Sequence, residues 1–222
     1  MFAVGHMSLA YLLGKISGKA LREKINIPLI MVLSILPDID IFFDLLTNSE
    51  IHRGPTHSVV VAIIFFIPVF IIYRKKAIPY FLALISHPLI GDFFIGGKLQ
   101  LFWPLSNQQY GLNELGGPLI SIYSPINVVL EVTFFVVAML VLYKTGDLKT
   151  FFKADKSNLL LIIPTTTVLL PSAIGYPFDK PLILAQPALA IAHIIYLVIF
   201  AYAILKTLSF YYSKRLKPTK PG

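Results

Sequence analysis

The strongest constraint on the fold is a series of apolar stretches that are each long enough to cross a lipid bilayer. The hydrocarbon core of a bilayer is roughly 30 Å thick, and a helix needs about 17–25 apolar residues to cross it. Seven such stretches occur among the 222 residues, at positions 2–19, 27–46, 57–73, 78–95, 118–143, 159–175 and 182–212. One soluble domain cannot bury so many apolar segments, and hydrophobic residues make up 56% of the chain. The sequence therefore predicts an all-α, polytopic transmembrane helical bundle with about seven spans.

Residues 1–222 are predicted to form a single membrane-embedded domain. The longest polar connections have about twenty residues, which is too few for a separate soluble domain. The first residues lack the basic segment of a signal peptide, and His6 interrupts their apolar run. We therefore expect residues 2–19 to be retained as the first helix.

The basic residues are concentrated in alternate connections between the predicted spans. Sixteen of the nineteen follow this pattern: Lys15, Lys19, Arg22, Lys24, Arg74, Lys75, Lys76, Lys144, Lys149, Lys153, Lys156, Lys206, Lys214, Arg215, Lys217 and Lys220. The other connections contain only Arg53, Lys98 and Lys180. Because cytoplasmic connections are enriched in Lys and Arg, we expect the N-terminus outside and the C-terminus in the cytoplasm of a cell membrane. The net charge of +8 is then a topology signal that anionic lipid reinforces, and no nucleic-acid partner is expected.

Ionisable residues inside the predicted spans cluster in one layer near the outer, extracytoplasmic face. Such residues are costly in a bilayer and commonly mark functional sites. Four of the five histidines and four aspartates share this depth on four different spans: His6, Asp38, Asp40, Asp44, His52, His57, His87 and Asp92. The topology rests on lysines and arginines alone, so this clustering is an independent observation.

The clustered residues have the chemistry of a metal site. The chain contains no cysteine, so a metal must be bound through nitrogen and oxygen atoms. Imidazole and carboxylate ligands suit zinc, manganese or non-haem iron. Pro37 interrupts the helical hydrogen bonds just before Asp38, so Asp38 and Asp40 need not point in opposite directions. The Gly-Pro pair between His52 and His57 permits a tight turn that brings both rings to one centre.

Each of these polar residues also has a structural interpretation. Asp38 can cap the helix that follows the proline break, and Asp44 can sit in the lipid headgroup region. Arg53 can extend to a lipid phosphate. Glu131 and His193 are expected to lie well below the layer and to hydrogen-bond between helices. The number of residues at one depth, more than any single residue, favours the metal site.

At these residues the sequence resembles a known family. Gly5-His6, LPDID at 36–40, HRGPTHS at 52–58 and SHPLIGDFF followed by LFWP at 101–104 are similar to motifs of the membrane-bound metal-dependent hydrolases of the YdjM/YbcI type. These proteins are also described as LexA-binding and inner-membrane-associated. The resemblance covers residues 1–105, the motif-bearing half, and leaves 106–222 as supporting helices.

The resemblance implies a metal-dependent hydrolase and a set of candidate ligands: His6, Asp38, Asp40, His52, His57, His87 and Asp92. The last pair departs from the family pattern, which often reads His-x-x-x-Asp. Here His87 and Asp92 are five apart, which is about 140° around an ideal helix. Pro88 and Gly91 can distort that segment, but the longer spacing makes Asp92 a weaker candidate than His87.

Metal chemistry suggests how such a site would work. One or two divalent ions, with zinc favoured over manganese or iron, would activate a water molecule and polarise an ester or phosphoester. Seven candidate ligands exceed the three of a mononuclear catalytic zinc site, so two ions are plausible. Asp38, Asp40 or Asp92 could act as general base, and Arg53 could hold an anionic group. The depth of the layer suggests a lipid or lipid-linked substrate.

Two other functions fit the same residues. A metal or ion transporter would need polar groups that continue towards the cytoplasm, for which Glu131 and His193 are candidates. A non-catalytic membrane scaffold or regulatory partner would hold a fully coordinated, structural metal.

Overall fold

The computed structural model describes residues 1–47, 52–175 and 180–216, and its regular elements are helices. Lys217 and Lys220 of the basic tail lie outside these residues, as do positions 48–51. The α-helices are α1 (Ala3–Leu21), α2 (Ile27–Ile35), α3 (Ile39–Thr47), α4 (Val59–Tyr73), α5 (Ile78–Ser86), α6 (Pro125–Lys144), α7 (Ile162–Pro164), α8 (Leu170–Ile174), α9 (Leu182–Ala185) and α10 (Pro187–Leu216). Two π-helical segments, His87–Asp92 and Thr165–Leu169, follow α5 and α7.

Three helices of the described chain are long and apolar enough to cross a membrane: Pro125–Lys144, Lys156–Ile174 and Pro187–Arg215. The predicted helical class is therefore confirmed, whereas the count of seven spans and the orientation of the termini stay predictions. Among the earlier apolar stretches, the first forms the 19 residues of α1, and the next two form shorter helices. The second is divided into α2 and α3, and the third forms only the 15 residues of α4.

The second apolar stretch is divided by a turn, and the LPDID motif at 36–40 begins in that turn. Asn26 begins α2 by accepting a hydrogen bond from the Leu29 N–H at 3.0 Å. The helix ends at Ile35, and α3 begins at Ile39. Pro37 lies in the gap because proline cannot continue the hydrogen-bond ladder. The predicted break before Asp38 is thus present.

The packed centre of the molecule is α1. It packs against α2, α5 and α6, and the core around it includes the fully buried Tyr11, Met31 and Phe200. Helix α4 differs, because none of its residues is buried and Phe65 is 71% exposed. An apolar helix without a buried face suits contact with lipid.

The two ends of α1 belong to different environments. At its C-terminal end Lys15 and the Tyr11 hydroxyl both contact Asp147, which follows α6. Nearby, Lys75 pairs with Glu23 at 3.2 Å. Basic connections from three parts of the chain therefore meet at this end. At the opposite end, the first turn of α1 reaches the layer of histidines and aspartates.

A long irregular segment, residues 93–124, covers the layer from the other side. Its backbone pairs at Leu99 and Tyr110, whose N–H and C=O groups exchange two hydrogen bonds of 2.8 Å. The same segment is tied to the HRGPTHS motif, since the Gln100 N–H donates to the Arg53 carbonyl at 3.1 Å and the Ser58 hydroxyl donates to the Trp103 carbonyl at 2.6 Å. These bonds fix the motif beside the site.

Candidate metal centre

Four buried side chains from three parts of the chain converge at the end of α1. Asp38 comes from the turn between α2 and α3, His57 from the 3-10 helix Pro55–His57, and His87 and Asp92 from the two ends of the first π-helix. One ligand atom of each lies within 4.8 Å of the others. We call these four residues the quartet.

The distances within the quartet match the edges of a coordination polyhedron. The Nε2 atom of His57 lies 3.5 Å from Asp38 Oδ1 and 3.6 Å from Asp92 Oδ2. The Nε2 atom of His87 lies 3.2 Å and 3.7 Å from the same two oxygens. Ligands about 2.0–2.1 Å from a tetrahedral zinc ion are separated from one another by about 3.4 Å. The spacing therefore suits a small divalent cation.

The Nδ1 contacts of His57 and His87 leave the Nε2 atom of each ring available to bind a metal. His87 Nδ1 donates to the Ser34 carbonyl at 2.7 Å, and a carbonyl can only accept, so the ring proton is on Nδ1. His57 Nδ1 lies 3.1 Å from the Thr56 hydroxyl and 3.4 Å from Asp40 Oδ2. Both Nε2 atoms are buried without a hydrogen-bond partner. Two imidazole nitrogens without hydrogen bonds thus lie beside two carboxylates, which is an arrangement that a cation satisfies.

Asp40 and His52 form an outer layer beside the quartet. His52 Nδ1 and Asp40 Oδ1 are 2.8 Å apart, a normal hydrogen bond, and the other Asp40 oxygen accepts a short bond from Thr56. One ligand atom each of Asp40, His52 and His57 also lies within 4.8 Å of the others, so these three residues could hold a metal ion. The hydrogen bonds already satisfy the carboxylate, however, so we assign Asp40 to orienting His57 and His52.

His6 lies against the quartet without a hydrogen-bond partner. Its ring stacks on His87 with centroids 3.7 Å apart, and its Nε2 is 3.3 Å from Asp92 Oδ1. Both of its ring nitrogens are buried and unpaired. Gly91 permits this approach, because a Cβ atom there would lie 2.2 Å from His6 Cε1. His6 is therefore a further candidate ligand on the side of Asp92.

The π-helix explains how residues five apart reach one centre. Its backbone bonds join residues i and i+5, as in the Phe93 N–H bond to the Pro88 carbonyl. Each turn therefore contains one more residue than an α-helical turn. His87 Nε2 and Asp92 Oδ2 consequently lie 3.7 Å apart, and the unusual spacing does not remove Asp92 from the site.

Arg53 stands at the edge of the site in a fixed position. Its backbone is left-handed, with a φ of 68°, and its Nη1 donates to the Gly97 carbonyl at 2.8 Å. Its Nε lies 3.8 Å from Asp92 Oδ2 and has no hydrogen-bond partner. The guanidinium group therefore keeps donor capacity beside the quartet.

An open cleft leads to the quartet. Its polar side contains Asp38, Asp92, His52 and Arg53, and its other lining includes the apolar side chains of Phe2, Ile41, Ile122, Val168 and Pro171. The cleft is therefore amphiphilic, and it borders two of the four residues that could hold a metal.

The remaining polar residues lie outside the quartet. Asp44 accepts from the His52 N–H at 3.1 Å, and His193 Nε2 is bonded to the Leu169 carbonyl at 2.8 Å. The Glu131 carboxylate accepts from the N–H groups of Phe2 and Gly5 at 2.8 Å and 3.1 Å. Glu131 does join two helices, as expected, but it lies beside the site layer rather than well below it.

Sequence reasoning missed two partners of the histidines. Thr56 stands inside the HRGPTHS motif and was open to the same reasoning as its neighbours, because a hydroxyl between two histidines can bond to either of them. Ser34 contributes its backbone carbonyl, which no side-chain pattern reveals.

Comparison with protein families gives a match over most of the chain. The family model described as YdjM inner membrane protein matches residues 1–212. The match thus extends well past the motif-bearing residues 1–105. No curated protein matches the chain, and no solved structure does.

Proposed function

Because the chain belongs to the YdjM inner membrane protein family, we propose that it is a membrane-bound metal-dependent hydrolase. We further propose that it acts on a lipid or lipid-linked ester or phosphoester at the extracytoplasmic face. The observation that carries the proposal is the pair of buried, unpaired Nε2 atoms that face Asp38 and Asp92 at the end of an open cleft.

The quartet would hold the ion, with His6 as an additional ligand if a second ion binds. A divalent ion there would supply Lewis acidity and an activated water molecule, and zinc suits the nitrogen and oxygen donors. Asp40 would keep His57 and His52 in the required orientation. His52 lines the cleft and would accept or donate a proton at Nε2, while Arg53 would hold an anionic group of the substrate.

The shape and charge of the molecule support a lipid substrate. The cleft combines a polar side with an apolar side, as an amphiphile requires. The basic contacts of Lys15 and Lys75 lie at the opposite end of α1 from the quartet. If that end faces the cytoplasm, the cleft opens near the outer headgroups.

A structural metal is the second candidate, and one observation favours it. Four protein ligands complete a tetrahedral zinc site, as in structural centres, whereas catalytic sites keep an open position. Because Asp38 and Asp92 border the cleft, a substrate or water could still reach the ion. The transporter alternative has less support, since Glu131 and His193 are engaged in hydrogen bonds with the backbone.

The test compares His87→Ala with His193→Ala in the purified full-length protein. Both histidines are buried and bonded to a backbone carbonyl, but only His87 belongs to the quartet. We expect elemental analysis to find metal in the wild type and in His193→Ala, and almost none in His87→Ala. Release of products from vesicles of mixed bacterial lipids should follow the metal content.

Three results would contradict the proposal in different ways. Metal-free wild-type protein would remove the site, and hydrolysis by His87→Ala would separate activity from the quartet. Tight metal binding without hydrolysis of any lipid, together with X-ray absorption that shows only protein ligands, would favour the structural metal.

A further inference from the structure

Three basic residues, Arg53, Lys98 and Lys180, lie in the connections that otherwise lack Lys and Arg. Two of them line one surface pocket beside the quartet. Arg53 and Lys98 share this pocket with the side chains of Gln100 and Gln109. The third residue, Lys180, does not line it. None of the described residues that line the pocket is acidic. The pocket therefore combines two positive charges with two amide groups that can donate hydrogen bonds.

Both cations are held in an uncommon backbone conformation. Arg53 and Lys98 have φ values of 68° and 60°, which lie in the left-handed region that residues other than glycine seldom adopt. The Gln100 N–H bond to the Arg53 carbonyl, 3.1 Å long, joins the two segments. The pairing of Leu99 with Tyr110 fixes the residue next to Lys98. Strained residues that the surrounding structure maintains are typical of ligand clamps.

The Arg53 side chain connects this pocket to the metal cleft. It lines both cavities, and Gly96 leaves the space for it, since a Cβ atom at Gly96 would lie 2.5 Å from Nη2. The Nη1 atom donates to the Gly97 carbonyl, while Nε lies 3.8 Å from Asp92 Oδ2 and has no hydrogen-bond partner. A ligand group bound in the pocket would therefore lie next to a ligand group bound at the quartet.

We propose that the pocket formed by Arg53 and Lys98 is a binding subsite for a phosphate group. Planar guanidinium and ammonium groups bind phosphate through charge-assisted hydrogen bonds. The proposal rests on the proposed function in one respect: it assigns to the hydrolase a substrate whose phosphate-bearing head occupies this subsite while its apolar part lies in the cleft. The phosphate can belong to a lipid headgroup or to a soluble ion.

The experiment measures binding and needs no turnover. Full-length protein in detergent is titrated calorimetrically with inorganic phosphate and with short-chain phosphatidic acid. Lys98→Asn removes the charge but suits the left-handed backbone, so folding should be retained. Lys180→Asn is the matched control. We expect Lys98→Asn to weaken phosphate binding about three- to fivefold, the effect of one exposed charge, and Lys180→Asn to leave it unchanged.

Further titrations identify the source of the phosphate and exclude the metal centre. Tighter binding of phosphatidic acid than of inorganic phosphate would assign the pocket to a lipid headgroup, and equal binding would assign it to free phosphate. In the His87→Ala background, a retained effect of Lys98→Asn would place the phosphate in the pocket. The proposal fails if the wild type binds neither probe, or if Lys98→Asn binds both as the wild type does. Loss of hydrolysis alone would affect only the proposed function.

Discussion

At the scale of single residues, the partner of the second nitrogen determines what each histidine ring can do. His87 Nδ1 donates a hydrogen bond to the Ser34 carbonyl, and His57 Nδ1 lies beside Thr56 and Asp40. Asp40 also contacts His52 Nδ1 at 2.8 Å. One carboxylate therefore orients two rings, and its effect on a metal should be indirect, in contrast to that of Asp38.

We expect Asp40→Asn to weaken metal binding about 10- to 100-fold, which is the usual effect of removing an outer partner of a ligand. Asp38→Asn should abolish binding, because it replaces a carboxylate that faces both Nε2 atoms. Competition with a coloured chelator measures both affinities. The exposed Asp155 provides the control, since Asp155→Asn should retain full affinity. Equal losses in Asp40→Asn and Asp38→Asn would show that Asp40 is itself a ligand.

The sequence could predict which residues gather at one depth, because apolar stretches predict the spans, basic residues predict their orientation, and depth then follows from position. It could not assign different roles to Asp38 and Asp40. Those roles depend on the turn between α2 and α3, which directs Asp38 towards both Nε2 atoms and Asp40 towards Nδ1 of His57. Two residues of one type, two positions apart, give no sequence signal for that difference.

At the scale of elements, the first π-helix and α1 determine the centre of the site together. The π-helical turn brings Asp92 close to His87, and Gly91 in the same turn leaves space for the ring of His6. Glu131 of α6 also holds the start of α1, because its carboxylate accepts hydrogen bonds from the N–H groups of Phe2 and Gly5. A change at Gly91 should therefore act on the metal through His6 and His87.

We expect Gly91→Ala to weaken metal binding at least about tenfold and to destabilise the protein by about 1–3 kcal/mol, the usual cost of overpacking. The new Cβ would lie 2.2 Å from His6 Cε1, and His6 is stacked on His87. Chelator competition and thermal unfolding in detergent measure the two effects. Gly146→Ala is the control. Nothing lies within 4 Å of its Cβ and its φ is +75°, so it should lose stability without losing metal.

Helix formation could be predicted from the apolar stretches, whereas the lengths of the helices could not. The stretches around α6 and α10 form helices of 20 and 30 residues. Those that supply the quartet are interrupted by the break at Pro37 and by the π-helix. A hydropathy average does not detect such interruptions, so it cannot predict where the helices end. The interruptions occur where irregular backbone surrounds the candidate site.

At the scale of the whole molecule, charge separates the two ends. Lys15, Lys75 and their acidic partners lie at one end of α1, and the quartet lies at the other. The absence of cysteine allows the orientation to be tested by single introduced thiols. Asn107 is an exposed residue at the end that contains the quartet, and Thr145 is an exposed residue at the basic end.

We expect a membrane-impermeant maleimide to label Asn107→Cys in intact spheroplasts and to label Thr145→Cys only after the membrane is opened. The physical reason is the enrichment of Lys and Arg in cytoplasmic connections. The cysteine-free wild type gives the background. The reverse pattern of labelling would place the metal centre at the cytoplasmic face and would exclude an outer-leaflet substrate.

The cleft receives its walls from both halves of the chain. Every member of the quartet lies at or before Asp92, whereas Thr167, Val168 and Pro171 of the facing wall are synthesised about 75 residues later. At about 5–20 residues per second, a ribosome needs about 4–15 s to make that interval. During those seconds all four residues of the quartet have been synthesised and this wall of the cleft has not. If the quartet holds a metal, we therefore expect that the ion can be loaded before this wall of the cleft is in place.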